Sequence, residues 1–146
     1  MQVREIMTQQ VKTVSPSDTV QKAAGIMKSV DCGSVPVCEG RRVTGMLTDR
    51  DIVVTAIAGG KPSSTPVKEC MTDKVVSISP DKDAQMAANL MADNQVRRLP
   101  VVENNKLVGI VAIADLARKN IYVSESGKAL SDISEPSQFS NTVSRH

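Results

Sequence analysis

Sliding the chain along itself by 64 residues pairs positions 3–56 with 67–120 without a gap, and 16 of the 54 pairs are identical. A duplication this regular constrains the fold more than any other feature, because whatever one copy forms the other must form too. The paired phrases are VREIMT with VKECMT, SPSDTVQKAAGIM with SPDKDAQMAANLM, and SVPVCEGRRVTGML with RLPVVENNKLVGIV.

Within each copy the hydrophobic period changes in the same order. VKTVS (11–15) and VVSIS (75–79) are short β-branched runs closed by Ser15-Pro16 and Ser79-Pro80, and a residue before proline is pushed toward extended geometry, so both read as strands. Val20, Ala23, Ala24 and Met27, and Ala84, Ala87, Ala88 and Met91, recur at i, i+3, i+4, i+7 and predict a helix in each copy. Ser17 or Asp18, and Asp81, are the expected caps. SVPVC and RLPVV, joined through EGRR and ENNK to a further apolar run, predict hairpins. DRDIVVTAIA and IADLARKN predict second helices, and VREIM and VKECM a short helical turn ahead of each copy.

The expected fold class is α/β in the α+β sense, two βαββα repeats. Repeat 1 covers 1–58, GGKPSSTP (59–66) is a linker, repeat 2 covers 67–120, and a serine-rich polar tail over 121–146 is expected to be mobile. About 54 residues is near the limit for independent stability, so the copies are expected to pack as a pseudo-twofold pair through their sheets.

Composition narrows the function. With 146 residues and 40% apolar content the chain can bury a core, yet no run approaches the ~18 apolar residues of a membrane span. MQVREIMTQQ lacks the basic and then apolar stretches of a signal peptide, which makes the cytoplasm the expected location. Net charge is +2 with the basic residues scattered, and one Phe and one Tyr leave almost no stacking platform, so a nucleic-acid partner is not expected. Cys32, Cys38 and Cys70 form no C-x-x-C pair and the single histidine is the last residue, so no metal site is expected. No nucleophile stands beside a base, so no catalytic residues are assigned.

The duplicated phrase GMLTDRDI (45–52), matched by GIVAIADL (109–116), carries the chemistry. Gly45 and Gly109 end a hairpin strand, where a missing side chain admits a ligand or a neighbouring strand. Thr48 and Asp51 straddle a strand-to-helix junction, where a hydroxyl and a carboxylate suit a sugar diol, and Arg50 between them suits phosphate. T-x-x-D is also a capping box, with Thr48 capping the helix and Asp51 returning a bond to the cap amide. Repeat 2 keeps Asp115 but has Ala112 in place of the threonine.

Taken together these phrases resemble a tandem pair of cystathionine β-synthase (CBS) domains, a Bateman module, over residues 3–120, and the whole chain is similar to small stand-alone bacterial CBS-pair proteins. The resemblance implies that the chain binds an adenosine-containing ligand, AMP, ADP or ATP ahead of S-adenosylmethionine or a dinucleotide, in clefts between the repeats. It implies that Thr48 and Asp51 hold the ribose, that Thr13, Val14, Ser34, Val35 and Pro36 enclose the adenine, and that Arg50 receives phosphate. The matching second set is Ser77, Ile78, Arg98, Leu99, Pro100 and Asp115, with Arg97 and Arg98 as phosphate candidates. On an alternating strand only one of those two arginines faces a given cleft. Loss of one hydrogen bond at Ala112 weakens the second site by roughly three- to tenfold. The resemblance also implies a homodimer and a protein partner that reads the ligand state. The rival expectations are a dimerisation scaffold with vestigial sites and a thiol sensor built on Cys32 and Cys38.

Overall fold

The computed structural model describes residues 1–119; the tail expected to be mobile over 121–146 lies outside the described residues. The chain forms two compact units. One contains Met1–Gln10, Val76–Asn104 and the described residues from Val108 on, the other Val11–Val75 with Asn105–Leu107. The segment that leads into each repeat therefore belongs to the unit formed by the other repeat.

In the unit of repeat 1, helix α1 (Val20–Val30) is followed by strands β1 (Ser34–Glu39) and β2 (Arg42–Thr48), then by one α-turn, α2 (Asp49–Asp51), that widens into a π-helix over Ile52–Ile57. The π-helix lies in the run Ile52, Val53, Val54, Thr55, four β-branched residues that lose side-chain freedom in an ordinary α-turn. β1 and β2 pair antiparallel from Ser34–Thr48 to Glu39–Arg42, with Thr44 the extra residue of a bulge opposite Val37 and Cys38. Val14, Val20, Ala23, Met27, Val35, Val37, Leu47 and Ala56 form the core together with Val67 and Cys70 of the incoming segment.

The unit of repeat 2 follows the same plan: α3 (Ala84–Asn94), β3 (Arg98–Glu103), β4 (Lys106–Ala112) and α4 (Ile113–Lys119). β3 and β4 form a second two-stranded sheet, whose turn residues Asn104 and Asn105 both have positive φ, the signature of a tight primed hairpin turn. Its core includes Ile78, Ala84, Ala87, Ala88, Met91, Leu99, Val101, Val111 and Leu116, closed by Val3 and Ile6. Mixed helix and strand content with two small antiparallel sheets makes this an α+β protein.

The expected leading turns form as 3-10 turns at Val3–Glu5 and Val67–Glu69. Each docks on the start of a helix. The Val67 and Lys68 amides donate to Asp18 and Pro16 carbonyls, while the α1 amides of Val20 and Gln21 donate to Thr65 and Ser63 in the linker. Likewise Val3 and Arg4 donate to Lys82 and Pro80, and Ala84 donates to Met1. The linker thus satisfies amides that a helix start leaves open. Beyond each turn, Thr72 exchanges both backbone hydrogen bonds with Met46, and Thr8 does the same with Ile110.

Several local expectations need correction. The runs 11–15 and 75–79 are not strands: each makes a single parallel bridge, Val14 to Val37 and Ile78 to Val101. Proline two residues after Val14 and Ile78 turns the chain away before a second pair can form. The caps are Thr19, whose hydroxyl accepts from the Lys22 amide at 3.1 Å, and Asp83, which accepts from the Gln85 amide at 2.9 Å, in place of Ser17, Asp18 and Asp81. Asp18 instead accepts from the Ser15 amide, and that bond, aided by Lys22, lowers its carboxyl below the usual range. Ala24 is exposed although its counterpart Ala88 is buried. The buried stripe of α1 stops at Val20, Ala23 and Met27, while that of α3 extends to Ala88 and Ala92.

Candidate functional site

In the unit of repeat 1 the fold brings the predicted residues to one end of the β1–β2 ladder. Ser34 opens β1 and faces Thr48, which closes β2. The Asp49 amide donates to the Gly33 carbonyl at 2.9 Å, fixing the start of α2 beside the start of β1. Val14 donates to the Pro36 carbonyl and accepts from Cys38, which sets the preceding Thr13 next to the same end. Thr13 is half-buried, and among the described residues its own amide and carbonyl have no hydrogen-bond partner.

Thr48 and Asp51 form the reciprocal capping box. The Thr48 oxygen accepts from the Asp51 amide at 3.0 Å, and Asp51 Oδ2 accepts from the Thr48 amide at 2.9 Å. This arrangement uses one lone pair of the hydroxyl and one carboxylate oxygen. The Thr48 O–H remains able to donate and Asp51 Oδ1 to accept, the two capacities a vicinal diol requires. Arg50, between them, is exposed. The side chains of Val14 and Val35 are committed to the core and Pro36 is buried, so the accessible polar groups at this end include those of Thr13, Ser34, Thr48, Asp49, Arg50 and Asp51.

In the unit of repeat 2 the same positions converge with different chemistry. Ile78 and Leu99 are core residues and Pro100 is buried, whereas Ser77 is exposed and Arg97 and Arg98 are half-buried. The Ile113 amide donates to the Arg97 carbonyl at 2.9 Å, repeating the Asp49–Gly33 bond. Asp115 is 6% exposed; its Oδ2 accepts from the Ala112 amide at 2.8 Å, and its Oδ1 accepts from Arg118. The carboxylate oxygen left uncommitted on Asp51 is therefore occupied on Asp115. Sequence reading missed Arg118, although Asp-x-x-Arg on a helix places the two side chains on one face. The corresponding residue in repeat 1 is Val54.

The glycines of the duplicated phrase serve close approach by a neighbouring strand. A Cβ on Gly45 would lie 2.8 Å from both Met71 Sδ and the Thr72 carbonyl, and one on Gly109 would lie 2.7 Å from Met7 Sδ and 2.9 Å from the Thr8 carbonyl. The cysteines are free thiols. Burial pushes the Cys38 thiol up; Cys70 is raised by burial first, with Glu69 and Asp51 adding to the shift and Lys61 opposing it. Cys32 is half-exposed and donates to the Ser34 carbonyl at 3.3 Å. A disulfide-forming reagent at mild alkaline pH should therefore label Cys32 well before the other two, at least tenfold faster given their burial. Rapid labelling of Cys38 in the folded protein would contradict this account. Among the described residues no group of three or more His, Cys, Asp or Glu is placed to hold a metal ion, and no helix is long and apolar enough to cross a membrane.

The sequence pattern of the CBS domain matches residues 3–56 and again 67–122. The chain is 47% identical to the CBS domain-containing protein YhcV of Bacillus subtilis over 132 residues, 90% of this chain and 94% of that one. It is similar to the solved structure of Hypoxic Response Protein I with two coordinated zinc ions, at 38% identity and a TM-score of 0.76, covering 81% of this chain and 98% of that one. The hexameric CBS-CP12 protein from bloom-forming cyanobacteria matches at 32% identity and a TM-score of 0.72, over 85% of this chain and 74% of that one.

Proposed function

The chain belongs to the CBS-domain family, carrying the domain twice, and from that premise we propose that it is a regulatory module that binds AMP, ADP or ATP around Thr48 and Asp51. The observation that carries this reading is the spare capacity of the capping box: a hydroxyl donor and a carboxylate acceptor side by side, next to the unpaired backbone of Thr13. S-adenosylmethionine and dinucleotides share the adenosine group and would use the same contacts. Binding favours one packing of the protein over another, and a protein partner reads the difference. On this reading the module binds its ligand without transforming it, as a regulatory unit does. Free buried thiols fit a reducing compartment, the cytoplasm.

Our reading includes a homodimer, supported by the helix over residues 49–57, where Val53, Val54 and Ile57 are each more than half exposed. Three large apolar residues on one short helix form a surface that a second copy can bury.

A second reading, a dimerisation scaffold with vestigial sites, is favoured by the closed capping box itself, which gives Thr48 and Asp51 a structural task without any ligand. Mass spectrometry of small molecules released by denaturing the purified protein separates the two. A stoichiometric adenosine compound supports the sensor. A clean protein that also fails to take up AMP, ATP or S-adenosylmethionine at millimolar concentration supports the scaffold.

A further inference from the structure

Residues 52–57 and their counterparts in repeat 2 are wound differently, although no insertion separates the two copies. The Ala58 amide donates to the Val53 carbonyl at 2.9 Å and the Lys61 amide to the Ala56 carbonyl at 2.8 Å. Each reaches back five residues where an α-helix reaches back four. The 64-residue offset pairs Ile52, Val53, Val54 and Thr55 with Leu116, Ala117, Arg118 and Lys119, which lie in the regular α-helix α4. The second set are strong α formers and the first are all β-branched, so the preference for α over π is weakened in repeat 1 alone. The end of the segment fits the wider winding: a Cβ on Gly59 would lie 2.5 Å from the Thr55 carbonyl. Ile52 and Ala56 hold its inner side on the repeat 1 core, while Val53, Val54 and Ile57 are exposed.

Rewinding to α passes each later amide to the next carbonyl, a shift of one residue or about 100° around the axis. It sets Ile57 on one face with Val53 and Val54, its neighbours four and three residues back. The π winding spreads the three, because its turns close on the fifth residue. Asp51 stands immediately before the π segment and ends the single α-turn that the capping box holds. We propose that residues 52–57 are a two-state element, driven from π to α by a diol held on Thr48 and Asp51, and that the gathered apolar face tightens the homodimer. The two windings are read from this chain, whereas the ligand and the second copy rest on the function proposed above. A diol bonded to both side chains keeps the first α-turn closed, and a helix grows from a formed turn by one hydrogen bond per residue fixed. The coupling is reciprocal, so dimerisation raises ligand affinity by the same factor.

The test uses the full chain in three forms: the parent, Val53→Leu with Val54→Leu, and Val53→Ile with Val54→Ile. Leucine favours α, whereas isoleucine adds the same apolar bulk and keeps the β-branch. A thermal melt confirms that each form folds. Trans-hydrogen-bond NMR couplings identify the carbonyl that the Ala58 amide meets, Val53 in π and Val54 in α. Sedimentation gives the dimer dissociation constant, and both measurements are made with and without saturating AMP. In the parent, AMP should move the Ala58 bond from Val53 to Val54 and tighten the dimer about tenfold or more. The leucine pair should bond Val54 and dimerise tightly without AMP, and the isoleucine pair should switch with AMP as the parent does. AMP binding that leaves the Ala58 bond on Val53 overturns the switch and leaves the nucleotide reading standing. Rewinding and a tighter dimer in the leucine pair, with no AMP uptake by any form, supports the two-state element and overturns the nucleotide reading. Equal tightening by leucine and isoleucine, or rewinding without any change in the dimer, overturns the inference.

Discussion

Gly45→Val is expected to lower the melting temperature by about 5–10 °C, a destabilisation of roughly 2–3 kcal/mol for a chain of this size. A Cβ at this position falls 2.8 Å from the Thr72 carbonyl, which belongs to backbone and cannot swing aside as the Met71 side chain can. Thr72 is also tied to Met46 by hydrogen bonds at 2.9 Å in both directions, so any retreat gives up that pair. The damage should therefore spread to the docking of Val67 and Cys70 in the core of repeat 1. Gly109→Val should cost a similar amount through Met7 and Thr8. Gly25→Ala is the control: it meets nothing within 4 Å inside α1 and should stabilise by about 0.5–1 kcal/mol. A Gly45→Val protein that melts within a degree of the parent would contradict the exchange of leading segments.

The second large effect is expected from Asp51→Asn, with stability and binding moving apart. The Thr48 amide requires an acceptor, so the asparagine carbonyl takes the place of Oδ2 and the capping box survives. The amide nitrogen then occupies the position of Oδ1, where it can only donate. Stability should change by less than about 0.5 kcal/mol, because the cap is kept and only its charge is lost. Affinity for AMP should fall at least tenfold, because a charged acceptor facing the ribose diol is worth about 1.5–3 kcal/mol. A scaffold in which Asp51 only caps predicts no change in either measurement. Thr48→Ala, by contrast, removes both functions and should cost about 1 kcal/mol of stability along with affinity.

What the sequence made legible was local or periodic. The i, i+3, i+4, i+7 spacing located α1 and α3, and the polar connections EGRR and ENNK located both hairpins, because each signal lies within a dozen residues of its consequence. The capping box at Thr48 was legible for the same reason. The role of Gly45 was not, since its partners Met71 and Thr72 come from the segment ahead of the other repeat. The reduction of 11–15 and 75–79 to single bridges has a local cause instead, Pro16 and Pro80 two residues after the bridging Val14 and Ile78. At the sites, apolar positions such as Val35 and Leu99 were correctly seen as apolar, but whether such a residue faces a ligand or the core depends on packing that alternation alone does not decide. Arg118 follows from the Asp-x-x-Arg spacing on α4, a signal that the duplication does not reinforce because repeat 1 has Val54 at that position.

Calorimetric titration of the intact protein with AMP tests the central claim most directly. The account predicts saturable binding with one tight site per chain, abolished together by Thr48→Ala and Asp51→Ala and weakened by Asp51→Asn at unchanged stability. Absence of heat with AMP, ATP and S-adenosylmethionine at millimolar concentration, from a protein shown to be folded and free of bound ligand, would contradict it.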